Sequence, residues 1–157
     1  MKKTLIVCSG GQTGADSAAL EFAFRNGLPH GGWCPKGRKQ EKGGIIPSKF
    51  RLKETRSTTF ALRTRWNCRD SDATVIFSIK PKLEGGTKKT AEFARKYGKP
   101  LLLLVRNIGT TPPEFRLLEF LRTNRIKTLN VAGPRRSEQP EIGTFVTEVL
   151  EGLLRIL

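Results

Sequence analysis

Four runs of five residues constrain this chain more than any other feature: "TLIVC" at 4–8, "ATVIF" at 73–77, "LLLLV" at 101–105 and "KTLNV" at 127–131. Short, largely apolar runs of this kind suit strands buried on both faces. Helical periods fill the intervals. Ala15, Ala18, Ala19, Phe22 and Ala23 return at helical spacing, with Asn26-Gly27 as a stop. Ser57-Thr58-Thr59 offers N-caps for a helix to about Arg69, and a third helix is expected from Thr87 to Tyr97. Pro112-Pro113 opens a fourth, and a fifth starts at Pro140 with Ile142, Phe145, Val146, Val149, Leu150, Leu153 and Leu154 on one stripe. "LPHGGWC" at 28–34 reads as a short second strand or an extended loop. Strands alternating with helices predict an α/β fold: a doubly wound, mostly parallel sheet of about five strands with helices on both faces, Rossmann-like. A flavodoxin-like strand order, 2-1-3-4-5, makes "TLIVC" and "ATVIF" neighbours.

Glycines mark where those two strands end. "SGGQTG" (Gly10, Gly11, Gln12, Thr13, Gly14) follows the first, and Gly85-Gly86-Thr87 follows "ATVIF". Each leads into a helix, whose first amides and dipole favour an anion. Ligands of open parallel sheets bind beyond the strand C-termini, so if the two strands are neighbours both turns face one crevice, shaped for a phosphate or similar oxyanion. Lys88 and Lys89 add charge there. Neither turn matches GxGxxG or GxxxxGK[ST], so neither motif's specific nucleotide reading applies. Asp16, three residues after Thr13, suits a capping-box role or a ligand-orienting one. Gln12 has no evident packing duty and reads as a ligand contact. Asn67, Asp70, Ser71 and Asp72 suit either caps and turns or a site, while Trp33 and Trp66 read as core.

The chain has 157 residues, enough for one domain over 1–157, with no repeat or linker. Its net charge is +15, from 29 Lys and Arg against 14 Asp and Glu, which implies an anionic partner. Residues 36–56 hold eight basic and two acidic residues, whereas 100–157 hold eight and six, so the excess sits near the glycine turns. Residues 36–56 lack a period and read as a long loop of the length that often carries function. No apolar run could span a bilayer. The segment after Met1-Lys2-Lys3 stops too early for a leader, which predicts a cytoplasmic protein. Cys8, Cys34 and Cys68 are widely spaced and His30 is single, so neither a disulfide nor a zinc site is expected, and Cys8 reads as core packing.

"SGGQTGAD…AAL", "PHGGWCPKGR…E", "LKET", "RTRWNCRDSDATVIF", "GGT…T" and "ARKYGKP", in that order, resemble the "putative molybdenum carrier" family, which is related to the lonely-guy phosphoribohydrolases and the DNA processing proteins. The match spans roughly residues 7–105. The resemblance implies a Rossmann-like fold, homo-oligomers, and binding of molybdenum cofactor (molybdopterin), with molybdoenzymes as recipients and the metal held by the cofactor's own sulfurs. By that analogy the phosphate lies on Gly10, Gly11, Gln12, Thr13, Gly14 and on Gly85, Gly86, Thr87, flanked by Lys36 and Arg38; Asp16 and Asn67, from the reading of the residues themselves, complete the candidate set. Two positions depart from the pattern. Leu62-Arg63 stands where many relatives carry an acidic residue, and "GGTKKTAE" lacks the glutamates that follow the turn in the hydrolases. A carrier is therefore the leading expectation. The alternatives are a nucleotide N-glycoside or phosphate-ester hydrolase using Asp16 or Asp72 as base, and nucleic-acid binding with the steep salt dependence of phosphate contacts.

Overall fold

The computed structural model describes residues 4–157. Met1, Lys2 and Lys3, which precede the segment considered as a leader, lie outside the described residues. In chain order the strands are β1 (Ile6–Cys8), β2 (His30–Gly31), β3 (Trp33–Cys34), β4 (Lys53–Glu54), β5 (Ala73–Ser78), β6 (Leu101–Val105) and β7 (Thr128–Ala132). The helices are α1 (Ala15–Arg25), α2 (Phe60–Asp70), α3 (Gly85–Lys96), α4 (Pro113–Thr123) and α5 (Ile142–Ile156). Five strands form one parallel sheet in the order β2-β1-β7-β5-β6, and β3 pairs with β4 in a small second sheet. Helices α1, α4 and α5 pack together on one face, and α2 and α3 on the other. The expected doubly wound α/β class is what the chain adopts.

The strand order is not the flavodoxin-like one. β7 lies between β1 and β5, so the two strands carrying glycine turns are separated by one strand. Hydropathy points the other way. "LLLLV" is the most apolar run, yet as β6 it forms an edge with three half-buried leucines. "TLNVA" carries a polar asparagine at its centre, yet its last four residues are buried. Asn130 fits there because its amide donates to Thr74 Oγ1 on β5 at 3.2 Å, which removes most of the cost of burying it. If β7 is counted as the first strand, the order becomes 3-2-1-4-5, the Rossmann arrangement, with its reversal point between β7 and β5.

The main core joins Val7, Val75, Phe77, Leu129 and Val131 of the sheet to Phe22 of α1, Leu117 of α4 and Ile142, Phe145, Val146 and Leu150 of α5. Each fully buried side chain of this size contributes roughly 1.5–3 kcal/mol, and α5 supplies the largest share, as its stripe predicts. Three local expectations shift. α3 starts at Gly85, so its glycines form the first helical turn instead of preceding it. Residues 36–56 are not structureless: they hold a 3-10 turn at Glu41–Gly43, an antiparallel bridge from Lys39 to Ile45, and β4. Trp33 and Trp66 are only half-buried and meet edge-on, 4.7 Å between centroids, at the surface.

Candidate functional site

The first glycine turn is occupied by its own chain. A Cβ on Gly10 would fall 1.8 Å from Arg63 Nη1, one on Gly11 2.6 Å from Ile46 Cδ1, and one on Gly14 2.5 Å from the carbonyl oxygen of Pro134. Gly11 and Gly14 also hold positive φ, 77° and 80°, which glycine adopts without strain. The amides are largely engaged: Gly11 N donates to Ser9 Oγ, Gln12 N to Asp16 Oδ2 and Ala15 N to Pro134 O. Gln12 is buried, accepting from Glu41 N at 3.0 Å and donating to Lys39 O at 3.4 Å. The Thr13 hydroxyl donates to Glu41 Oε2 and accepts from Arg136 N. No capping box forms, because the N-cap is Gly14 and makes no side-chain cap bond.

The second turn is open. A Cβ on Gly86 would meet nothing within 4 Å. The first helical bond of α3 runs from Lys88 N to Glu84 O, so the amides of Gly85, Gly86 and Thr87 precede the helical ladder and have no acceptor in it. Thr87 Oγ1 has no hydrogen-bond partner among the described residues. This turn borders a crevice of about 300 Å³ lined by Gln12, Asp16, Phe60, Arg63, Thr64, Gly85, Gly86, Thr87, Lys89, Thr90, Gly133, Arg135 and Glu138, among others. A second compartment of about 200 Å³, lined by Lys80, Lys82, Pro134 and Gln139, shares Thr87 and Glu138 with it. Both lie at the C-terminal end of the sheet, over the reversal between β7 and β5, where open α/β sheets take ligands. A larger hollow of about 450 Å³ beyond β6 contains one cation, Arg106, already paired with Glu141 at 2.7 Å.

Charge in the crevice is mixed. Arg63 Nη1 lies 3.0 Å from Asp16 Oδ2, and both side chains are largely buried, at 14% and 4% exposure. Burial pushes the Asp16 carboxyl above its ordinary range, opposed by the Arg63 guanidinium and the amide of Gln12. Arg63 Nε is buried without a partner. Arg135 binds Glu138 at 3.2 Å, whereas Lys89 and Lys80 form no ion pair among the described residues. Glu41 lies next to Gln12, its amide donating to Gln12 Oε1 at 3.0 Å. Burial opposes its ionisation, but bonds from Ser137 and Thr13 prevail and hold its carboxyl below the usual range.

A protein-family model described as the circularly permutated YpsA SLOG family matches residues 7–154. This chain belongs to that family. A sheet whose last strand in sequence stands at its centre suits the description of that SLOG family as permutated. The chain is also similar to the crystal structure of the "Putative molybdenum carrier protein" from Syntrophus aciditrophicus SB, with a TM-score of 0.90 and 39% identity, over 97% of this chain and 96% of that one. No curated protein matches it. Among the described residues no helix is long and apolar enough to cross a membrane.

For this member of the SLOG family, the crevice brings together Gln12, Asp16, Gly85, Gly86 and Thr87 of the expected site. Gly10 and Asn67 lie at its floor, in a pocket of about 10 Å³. There Asn67 clamps β3, its Oδ1 accepting from Trp33 N at 2.7 Å and its Nδ2 donating to Trp33 O. Lys36 and Arg38 do not line the crevice. Lys36 is exposed, and Arg38 turns its guanidinium onto the carbonyls of Pro47 and Phe50. Asp72 accepts from the amides of Lys127 and Thr128, at the opposite end of the sheet, so it is no base for a reaction in this crevice. None of the three cysteines lines it: Cys34 packs with Leu20, Ile46 and Phe50, and Cys68 lies under Thr90 and Asn130. Sequence reasoning missed Arg63, Gly133, Arg135 and Glu138. Arg63 was visible as a departure from the family pattern, but the other three depend on β7 lying at the centre.

Proposed function

We propose that this chain is a carrier that holds an anionic, phosphate-bearing small molecule in the crevice above β7 and β5, with molybdenum cofactor as that molecule. The phosphate is assigned to the first turn of α3, where Gly85, Gly86, Thr87 and Lys89 line the crevice and a Cβ on Gly86 would meet nothing within 4 Å. The open Gly86 turn at the reversal point is the observation that carries this reading. The adjoining compartment gives the ring system room, with Lys80 and Lys82 beside it. The residues present suit the phosphate end, and the cofactor's own sulfurs would hold its metal. On this reading residues 1–157 act as one ligand-binding unit in the cytoplasm, assemble as a homo-oligomer and hand the ligand to molybdoenzymes.

A nucleotide suits the same turn and is the alternative ligand. Of the two bases considered for its hydrolysis, Asp16 is committed to Arg63 and the Gln12 amide, and Asp72 lies at the opposite end of the sheet. The deciding experiment titrates purified protein with molybdenum cofactor and analyses what copurifies with it by mass spectrometry and metal content. Saturable binding that Gly86→Asp abolishes is expected. Equal affinity in that variant, or a nucleotide copurifying instead, removes the assignment.

A further inference from the structure

Next to Gln12, which lines the crevice and accepts from the Glu41 amide, the hairpin from Arg38 to Ile46 folds back over the first glycine turn and is tied down at its tip. Lys39 pairs with Ile45, Arg38 and Lys42 hold positive φ of 56° and 54°, and Gly43 holds 75°. Glu41, at the tip, places its carboxylate among donors from two other segments. The Thr13 hydroxyl and the Ser137 amide donate to Oε2, and the Ser137 hydroxyl donates to Oε1. Arg136 N fixes the Thr13 oxygen from behind, at 3.2 Å. Gln40 Nε2 donates to Gly11 O at 2.8 Å, which holds the neighbouring residue over the same turn.

Two hydroxyls and an amide converging on one carboxylate form a donor set that equally fits an anionic phosphate oxygen, because such an oxygen accepts the same charge-assisted bonds. From this arrangement we infer that Thr13 and Ser137 form an oxyanion subsite that the chain's own Glu41 occupies as a latch, and that a phosphate or pyrophosphate group displaces Glu41 and releases the hairpin. The inference rests on the crevice being a phosphate site and adds to it a second anion position, which opens only by competition. Displacement is reversible and breaks no covalent bond. Hydrogen bonds to one anion are exchanged for those to another, and the freed Glu41 returns to water.

Two measurements separate this inference from the reading beneath it. Trypsin cleavage after Lys42 reports the latch without any ligand, and Glu41→Ala and Glu41→Gln are expected to speed it at least several-fold while the melting transition stays cooperative. Unchanged cleavage in both variants overturns the latch, whatever the crevice binds. Calorimetric titration with inorganic pyrophosphate reports the subsite: Glu41→Ala is expected to bind several-fold more tightly than the unaltered protein, and Gly86→Asp to lose binding. If Glu41→Ala gains nothing while Gly86→Asp still loses binding, the subsite is overturned and the crevice reading survives. Binding by none of these proteins overturns both.

Discussion

Arg63 lies across Gly10 with its Nη1 3.0 Å from Asp16 Oδ2, in space that any Cβ at residue 10 would occupy. The pair joins α2 to α1 beneath the crevice. Removing one partner leaves a buried charge without compensation, so Arg63→Ala is expected to lose about 3–5 kcal/mol. The pH dependence follows from Asp16. Burial raises its carboxyl in the folded state, opposed by Arg63, so ionising it on folding costs stability as pH rises through that raised value. Without Arg63 that cost grows. Urea unfolding of Arg63→Ala near pH 4.5 and near pH 7.5 is expected to show the larger deficit at the higher pH, and an equal deficit at both would mean that the Asp16 charge is not its source.

Gly14 and Gly86 belong to similar motifs but face different surroundings. Gly14→Ala combines a positive φ with a Cβ 2.5 Å from a main-chain oxygen, and an expected loss of about 2–4 kcal/mol follows from strain plus overpacking. Gly86→Ala meets open space in an ordinary helical turn, and is expected to leave stability unchanged or to raise it by up to ~1 kcal/mol. Thermal melts of the two variants side by side test the contrast. A comparable loss in both would mean that the second turn is also filled.

Asp72 staples the start of β5 to the start of β7 through the amides of Thr128 and Lys127, and these bonds hold its carboxyl below 3.8. A depressed carboxyl contributes stability above its unfolded value and loses it as pH falls through the folded one. Because the group is exposed, Asp72→Ala is expected to cost only about 1 kcal/mol at neutral pH. That deficit should fade in denaturant titrations as pH falls through the lowered value. Persistence of the full difference in acid would assign it to packing instead.

Burial raises the Cys8 thiol to about 11 from 9.0. At pH 8 its thiolate is then about a hundredfold scarcer than that of an ordinary thiol, and alkylation slows in proportion. Cys34 and Cys68, at 0% and 1% exposure, are expected to react only on unfolding. Mass-resolved labelling with iodoacetamide checks both, and fast modification of Cys34 or Cys68 in folded protein would contradict their burial.

Local chemistry determined much of this protein in advance. Apolar runs and a 3.6-residue stripe specify which segments become strands and helices, because period and burial are properties of neighbours in sequence. The glycine pairs likewise announced two turns of bare main chain. What approaches them is a matter of distant segments. Arg63 fills Gly10, Ile46 fills Gly11 and Pro134 fills Gly14, whereas the turn at Gly86 stays open. The central place of β7 was hidden for the same reason. Asn130 is a penalty until Thr74 arrives to satisfy it, and the apolar leucines of β6 nonetheless form an edge. Strand order follows from which polar groups find partners across the sheet, and such pairings exist only once the chain has folded.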